Sequence, residues 1–250
     1  MQTVPRKPPR LLVVGYGRFG AALVDLARAA GVGAGAVDTR REVPPEHCAT
    51  LEDAGGAEFV VMAVPVPALG EALAELRPHL GPSTIVLDVG SVKVHPTDSL
   101  RAAFGEAQPW VPTHPLFGPA SLARGERPLR VVVCGADTPH TSAAAATVAL
   151  FEQLGCVVVD IDAHTHDRKM AWTHALAFFV ARGIVELGVD VDEPLAPPSF
   201  QAMATTVRTV REDAGHLFDV LQLENPYAAE MRRAYREALG EIDAELDRRG

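Results

Sequence analysis

The sequence predicts an α/β protein: a doubly wound, largely parallel sheet over the first two thirds, then an all-helical domain. Three observations predict it. Short, Val-rich apolar runs alternate with helix-length segments as far as residue 162. The first of these runs ends in a glycine-rich turn that opens a helix. Beyond residue 162 no strand-like run recurs.

Residues 1–10, MQTVPRKPPR, are basic and Pro-rich and read as a flexible leader. The sheet domain is expected over 11–162 and the helical domain over 163–250. Runs at 11–14, 34–37, 59–63, 85–89, 130–134 and 157–161 are four or five residues long and apolar on both faces, as strands covered by helices on two sides should be. Helices are expected between them at 21–30, 68–79 and 141–154. In the last third, 168–187 reads as one helix, apolar nearly all round at 175–180, which predicts burial in a core or against a second subunit. A Pro-rich break at 193–198 precedes a helix over 200–223. Asn225-Pro226 marks a turn, and a charged amphipathic helix closes the chain over 227–248.

Composition narrows the function classes. With 48% hydrophobic and 22% charged residues, the chain is globular rather than disordered. A formal charge of -9, with no basic run beyond the first ten residues, argues against a nucleic-acid partner. Apolar residues from 11 onward are interrupted by Gly15, Gly17, Arg18 and Gly20, so they form no secretory core. No stretch reaches the roughly 20 apolar residues of a membrane span. Cys48, Cys134 and Cys156 are too far apart for a Cys-x-x-Cys pair, and their odd number without a signal segment predicts reduced thiols in a cytoplasm.

Gly15-Tyr16-Gly17-Arg18-Phe19-Gly20 is a G-x-G-x-x-G placed between a Val-rich strand and a helix. In that context the first glycine makes the tight turn, the second admits a pyrophosphate, and the third lets helix and strand pack closely. The phosphates then face the positive end of the helix. A plain strand–helix turn is the simpler alternative. Asp38 closes the second strand 18 residues past Gly20, close to the separation of about 20 expected for a carboxylate on the adenine ribose. This is a Rossmann-type signature, and it predicts NAD as cofactor. Arg40 and Arg41 keep NADP open, since they could meet a 2′-phosphate. Arg18 and Phe19 in the loop, with Val64 and Pro65 after the third strand, complete the expected cofactor contacts.

Two further segments carry chemistry. Asp88-Val89-Gly90-Ser91-Val92-Lys93 follows a strand end, and His114-Pro115-Leu116-Phe117-Gly118-Pro119 follows later. Strand ends at the carboxyl edge of such a sheet are where ligands bind. Taken singly, Ser91 could cap a helix, Lys93 could be a solvated first-turn residue, and His114 could be a packed loop histidine.

In order and spacing, these segments resemble the prephenate/arogenate dehydrogenase family, with its G-x-G-x-x-G, D-x-x-S-V-K and H-P-[ML]-F-G-P segments. A helical second domain there opens near a His-Asp pair, matched here by His166-Asp167. The resemblance implies NAD-dependent oxidation and decarboxylation of a small anionic cyclohexadienyl substrate, prephenate or arogenate, in aromatic amino-acid biosynthesis. It implies His114 as the base for the C4 hydroxyl, with Ser91 hydrogen-bonded to His114 or to that hydroxyl. Lys93 would offer charge to the substrate's side chain, and Arg208 would hold the ring carboxylate, with Arg211 as substitute. His166 and His174, eight apart and so about 80° round an α-helix, would line the substrate site. His164, His166 and Asp167 resemble a metal cluster, but the chemistry needs no metal and none is expected. The family's habit and the apolar helix at 171–187 predict a homodimer through the helical domain.

The resemblance is incomplete. Gln201 stands where several members have arginine, which leaves open a 4-amino-4-deoxyprephenate substrate from an antibiotic pathway. The chain is also expected to lack a fused mutase or amino-acid-sensing domain, and with it tyrosine feedback. A β-hydroxyacid dehydrogenase is a rival with similar architecture; its acid/base would be a second-domain lysine, and Lys169 is the sole candidate. A non-catalytic dinucleotide sensor is the rival from another class.

Overall fold

The computed structural model describes residues 8–212 and 216–250. The chain divides into two compact units between Ala163 and His164. The first is built on a seven-stranded sheet: β1 (Leu11–Val14), β2 (Ala34–Val37), β3 (Phe59–Met62), β4 (Ile85–Asp88), β5 (Trp110–Pro115), β6 (Leu129–Val133) and β7 (Cys156–Asp160). Strand order is β2-β1-β3-β4-β5-β6-β7. Five strands are parallel, β6 runs antiparallel to β5, and β7 is parallel to β6.

Alternating side chains feed two cores. Leu11, Val13, Phe59, Val61, Ile85 and Leu87 face one layer, with Leu23, Val24 and Ala27 of α1 (Arg18–Ala29) and Leu150 and Phe151 of α5 (Thr141–Gln153). Leu12, Val60, Met62 and Val86 face the other, against Leu69, Leu73 and Leu76 of α2 (Leu69–Leu76) and Leu100 and Phe104 of α3 (Val94–Phe104). Each fully buried Leu or Phe contributes about 1.5–3 kcal/mol, so both faces of the sheet are stabilised independently. This is why β3 and β4 are buried along their whole length. It also explains why the apolar runs do not alternate with polar residues.

Two elements depart from the sequence reading. β5 is absent from it because Pro112, Pro115, Thr113 and His114 interrupt any apolar run. The strand forms nonetheless: the Pro112 carbonyl accepts from Cys134 N at 2.9 Å, and Val86 N donates to the Pro109 carbonyl at 2.9 Å. Helix α3 enters the sequence reading only as the helix that Ser91 could cap, since Pro96 and the polar residues His95, Thr97, Asp98, Ser99 and Arg101 hide its apolar face. A short helix α4 (Pro119–Ala123) connects β5 to β6.

The second unit is helical: α6 (Ala163–Met170), a π turn at Ala171–Ala175, α7 (Leu176–Glu186), α8 (Pro198–Glu212), α9 (His216–Asp219), a second π turn at Val220–Glu224, and α10 (Ala228–Arg249). The expected single helix over 168–187 is therefore longer and carries an inserted π turn. Small buried residues at 171, 175, 181 and 204 surround Phe178, Val207, Leu221 and Met231 in its core. The buried Gln222 links the two π turns, donating from Nε2 to the Ala175 carbonyl at 2.7 Å, and Arg232 donates to its Oε1 at 3.0 Å. Leu176, Phe179 and Val180 stay only half-buried, and Ala177 is exposed. Among the described residues no helix is long and apolar enough to cross a membrane.

Candidate active site

β1 has β2 on one side and β3 on the other, so the loops after β1 and β3 diverge from a common crevice at the carboxyl edge of the sheet. Gly15 sits there with φ +104°, and a Cβ on it would lie 2.5 Å from the Ala63 carbonyl and 3.3 Å from Val64 Cγ1. Val64 thus packs directly on the turn, and Pro65 beside it is exposed. A Cβ on Gly20 would lie 2.0 Å from the Gly15 carbonyl, so the helix can approach only as glycine. Nothing lies within 4 Å of a Cβ built on Gly17, the N-cap residue just before α1. Gly17 is the open position, where a phosphate group can meet the helix N-terminus. Arg18 is exposed, and Phe19 packs on Phe117 with ring centroids 6.2 Å apart, tying the glycine loop to the His114 segment.

Asp38 follows β2. Its Oδ2 accepts from Tyr16 N at 2.6 Å, and its Oδ1 accepts from Arg40 N at 2.7 Å and Arg41 N at 2.9 Å. Burial alone would raise this carboxyl's pKa, but the three backbone donors outweigh it and hold the group below its ordinary range. The result is a fixed anion at the far end of the glycine turn.

On the same carboxyl edge, β5 outruns β4. Asp88 is level with Pro112, so Thr113, His114 and Pro115 pair only with β6. His114 is 4% exposed and lies on this overhang, within a strand and not in the packed loop of the alternative reading. Ser91 is half-buried in the turn after β4.

Lys93 requires a correction. It is neither solvated nor presented as a loose cation: it is 0% exposed, and its ammonium is bonded to Asp88. A lysine buried this deeply stays charged only beside a counterion. Asp88, quoted in the motif but given no role from sequence, is that counterion. The clue was available, since a carboxylate closing a fully apolar strand has to find a partner inside.

In the helical unit, His166 and Asp167 are both fully buried, with His166 Nδ1 and Asp167 Oδ1 2.7 Å apart. Asn225 donates to the Asp167 carbonyl at 2.8 Å, pinning the start of α10 to α6. His164 turns elsewhere, its Nδ1 2.9 Å from the Tyr227 hydroxyl. Among the described residues no group of three His, Cys, Asp or Glu is arranged to hold a metal ion. The π turn changes the predicted angle between His166 and His174. One extra residue in the turn makes eight residues advance by roughly seven α-helical steps, about 20° short of two full turns. The two imidazoles therefore share one face instead of diverging by 80°. His174 packs edge-on to Phe178 with centroids 4.9 Å apart. Burial, then the neighbouring His166, pushes its pKa down to about 4, so near neutral pH it offers a hydrogen bond and no charge.

Arg208 is also committed. Its Nη2 and Nε lie 2.6 and 3.2 Å from Asp192 Oδ1, and Nη2 donates to the Val191 carbonyl at 3.2 Å. Its side chain is 45% exposed, so the pair is a surface contact between α8 and the preceding loop. Arg211, one turn on, is exposed. Gln201 donates to the Ala196 carbonyl at 2.9 Å, a local loop contact. The buried Cys156 has its pKa pushed up to about 11, which makes it an inert thiol.

Comparison with known proteins adds to this geometry. The family described as "Prephenate dehydrogenase, nucleotide-binding domain" matches residues 25–159, which begin within α1, after the glycine turn, and end in β7. The 4-amino-4-deoxyprephenate dehydrogenase of Streptomyces pristinaespiralis is 32% identical over 229 residues, covering 86% of this chain and 74% of that protein. A probable arogenate/prephenate dehydrogenase of Methanocaldococcus jannaschii is 26% identical over 213 residues; the match covers 80% of this chain but only 47% of that protein. Among solved structures, prephenate dehydrogenase from A. aeolicus, in complex with hydroxyphenyl propionate and NAD+, superposes with a TM-score of 0.71 at 19% identity. It covers 99% of this chain and 93% of that one, a likeness of fold.

Proposed function

The chain belongs to the prephenate dehydrogenase family, and from that premise we propose that it catalyses NAD-dependent oxidative decarboxylation of a cyclohexadienyl acid. The observation that carries the reading is the carboxyl edge of the sheet, where the glycine crevice, the Ser91 turn and the His114 overhang open on one side. The crevice fits a dinucleotide: Gly17 is open where Gly15 and Gly20 are sterically closed, and Asp38 is a fixed acceptor for ribose hydroxyls. When bound, NAD supplies a hydride-accepting nicotinamide. In this reading Gly15, Gly17, Arg18, Phe19 and Gly20 hold the pyrophosphate, Asp38 holds the ribose, and Val64 and Pro65 form the facing wall.

The chain's own residues handle the proton. His114 accepts it from the substituent on C4, and the Ser91 hydroxyl hydrogen-bonds the same substituent to orient it. Overall the substrate, as its ring carboxylate, loses a hydride and carbon dioxide; the proton taken from the C4 substituent is matched by one returned to it as the ring becomes aromatic, which makes the reaction effectively irreversible. Lys93 supports this edge from within rather than touching the substrate. In the helical unit, Arg208 and Arg211 are the cations for a carboxylate, Arg208 only by giving up Asp192. His174 contributes a neutral hydrogen-bonding group, and His166 stands beside it.

A second reading has an observation in its favour. The Streptomyces relative, named for 4-amino-4-deoxyprephenate, is 32% identical over 229 residues, a length that takes in both parts of the chain. An amine at C4 would then be the group His114 deprotonates. The β-hydroxyacid reading loses support, since Lys169 is exposed in the last turn of α6. A cytoplasmic homodimer completes the proposal. Among the described residues, and with Leu116 and Val157 aside, the large apolar side chains left exposed, from Trp172 to Leu246, belong to the helical unit, which supports burial there against a second copy.

The test is absorbance at 340 nm with NAD or NADP and prephenate, arogenate or 4-amino-4-deoxyprephenate in parallel. Reduction with one pairing fixes substrate and cofactor together. Dinucleotide binding without turnover of any of the three would overturn the proposal in favour of a sensor.

A further inference from the structure

We propose that Asp88 is the positioning residue of this site, setting the spacing between the Ser91 turn and the His114 strand; the inference rests on the function just proposed. Asp88 is the last residue of β4 and is 1% exposed. Its Oδ2 accepts from Gly90 N at 2.9 Å and from the Lys93 ammonium, and its Oδ1 accepts from Thr113 N at 3.1 Å. Its backbone carbonyl accepts from Thr113 Oγ1 at 2.5 Å. One residue thereby grips the turn that carries Ser91, the start of α3, and the residue just before His114.

The arrangement has a physical reason. β4 ends level with Pro112, so no further β4 backbone is available to the Thr113 amide. The Asp88 carboxylate takes the place of the missing strand and extends the ladder by one step toward His114. Buried backbone donors need such a partner. An ionised carboxylate also accepts from two directions at once, which a neutral amide side chain does not. Lys93, itself 0% exposed, is the counterion beside it.

Asp88→Asn preserves the shape but turns an amide NH2 toward donors. The expected result is a kcat lower by about 10²-fold, the scale of a misplacement of roughly 1 Å. KM should stay within a few-fold and dinucleotide affinity should be unchanged. Because Asp88→Asn removes the charge beside a buried ammonium and can unfold the chain, Asp88→Asn/Lys93→Met is the second variant. It removes both charges, and it should fold and bind dinucleotide while remaining slow. Wild-type kcat in the folded double variant overturns the proposal. If the unaltered protein turns over none of the cyclohexadienyl substrates, the functional reading fails separately. The inference is then read from the His114 ring Cε1–H resonance in the dinucleotide complex: displacement in the double variant supports it, and coincidence with wild type overturns it.

Discussion

His114 is a buried imidazole and His174 a half-buried one, and their surroundings differ. His114 stands on a strand end at the open edge of the sheet, where a proton can leave a ligand. Substitution by Asn keeps a polar side chain but removes the base. We expect kcat to fall about 10²- to 10⁴-fold with dinucleotide affinity unchanged, measured by 340 nm turnover and titration calorimetry. His174 is held neutral, its pKa at about 4 by burial and by His166. Its ordinary value lies near 6.5, so as pH falls through the window from about 6.5 to about 4 the unfolded chain takes up a proton that the native chain refuses. Stability is complete above that window and is lost within it. Between pH 7 and pH 5 the loss from this residue should be about 2 kcal/mol. Urea denaturation of the wild type and of His174→Gln at both pH values checks it, and the variant should show the smaller difference.

Elements set the tolerances within which those residues act. The glycine turn is the tightest: a Cβ on Gly20 would sit 2.0 Å from the Gly15 carbonyl, a backbone atom that cannot step aside. Gly20→Ala should push α1 off β1, costing about 2 kcal/mol or more of stability. Dinucleotide affinity should be lost with it, as thermal melts with and without NAD would show. Gly17→Ala, with open space around it, should fold normally and lose only affinity. How far such features were legible depended on their physical range. Gly15, Gly17 and Gly20 were readable because a turn is encoded within six residues. β5 was not, because its strand character comes from neighbours on both sides rather than from its own Pro-interrupted sequence. The π turn at Ala171–Ala175 was equally hidden. It is held in part by Gln222, which lies 47 residues away.

At the scale of the whole molecule, apolar surface is unevenly shared. Leu187 is 79% exposed and Leu195 88%, and α10 presents Leu239, Ile242 and Leu246 along one stripe. A helical unit that leaves this much apolar surface uncovered is expected to meet a second copy. Size-exclusion chromatography with light scattering should give about twice the 26.6 kDa chain mass. A clean monomer at micromolar concentration would sink that expectation. The sequence by itself determined the alternation of strands and helices, the glycine turn, Asp38 and the motif residues Ser91 and His114, because short-range periodicity and turn chemistry are written locally. Only the tertiary structure decided that β5 carries His114 past the end of β4 and that Lys93 is sealed against Asp88. It also decided that Arg208 pairs with Asp192 and that His166 and His174 share a face. Each of these depends on which distant segments pack together, and burial and charge pairing are properties of that packing.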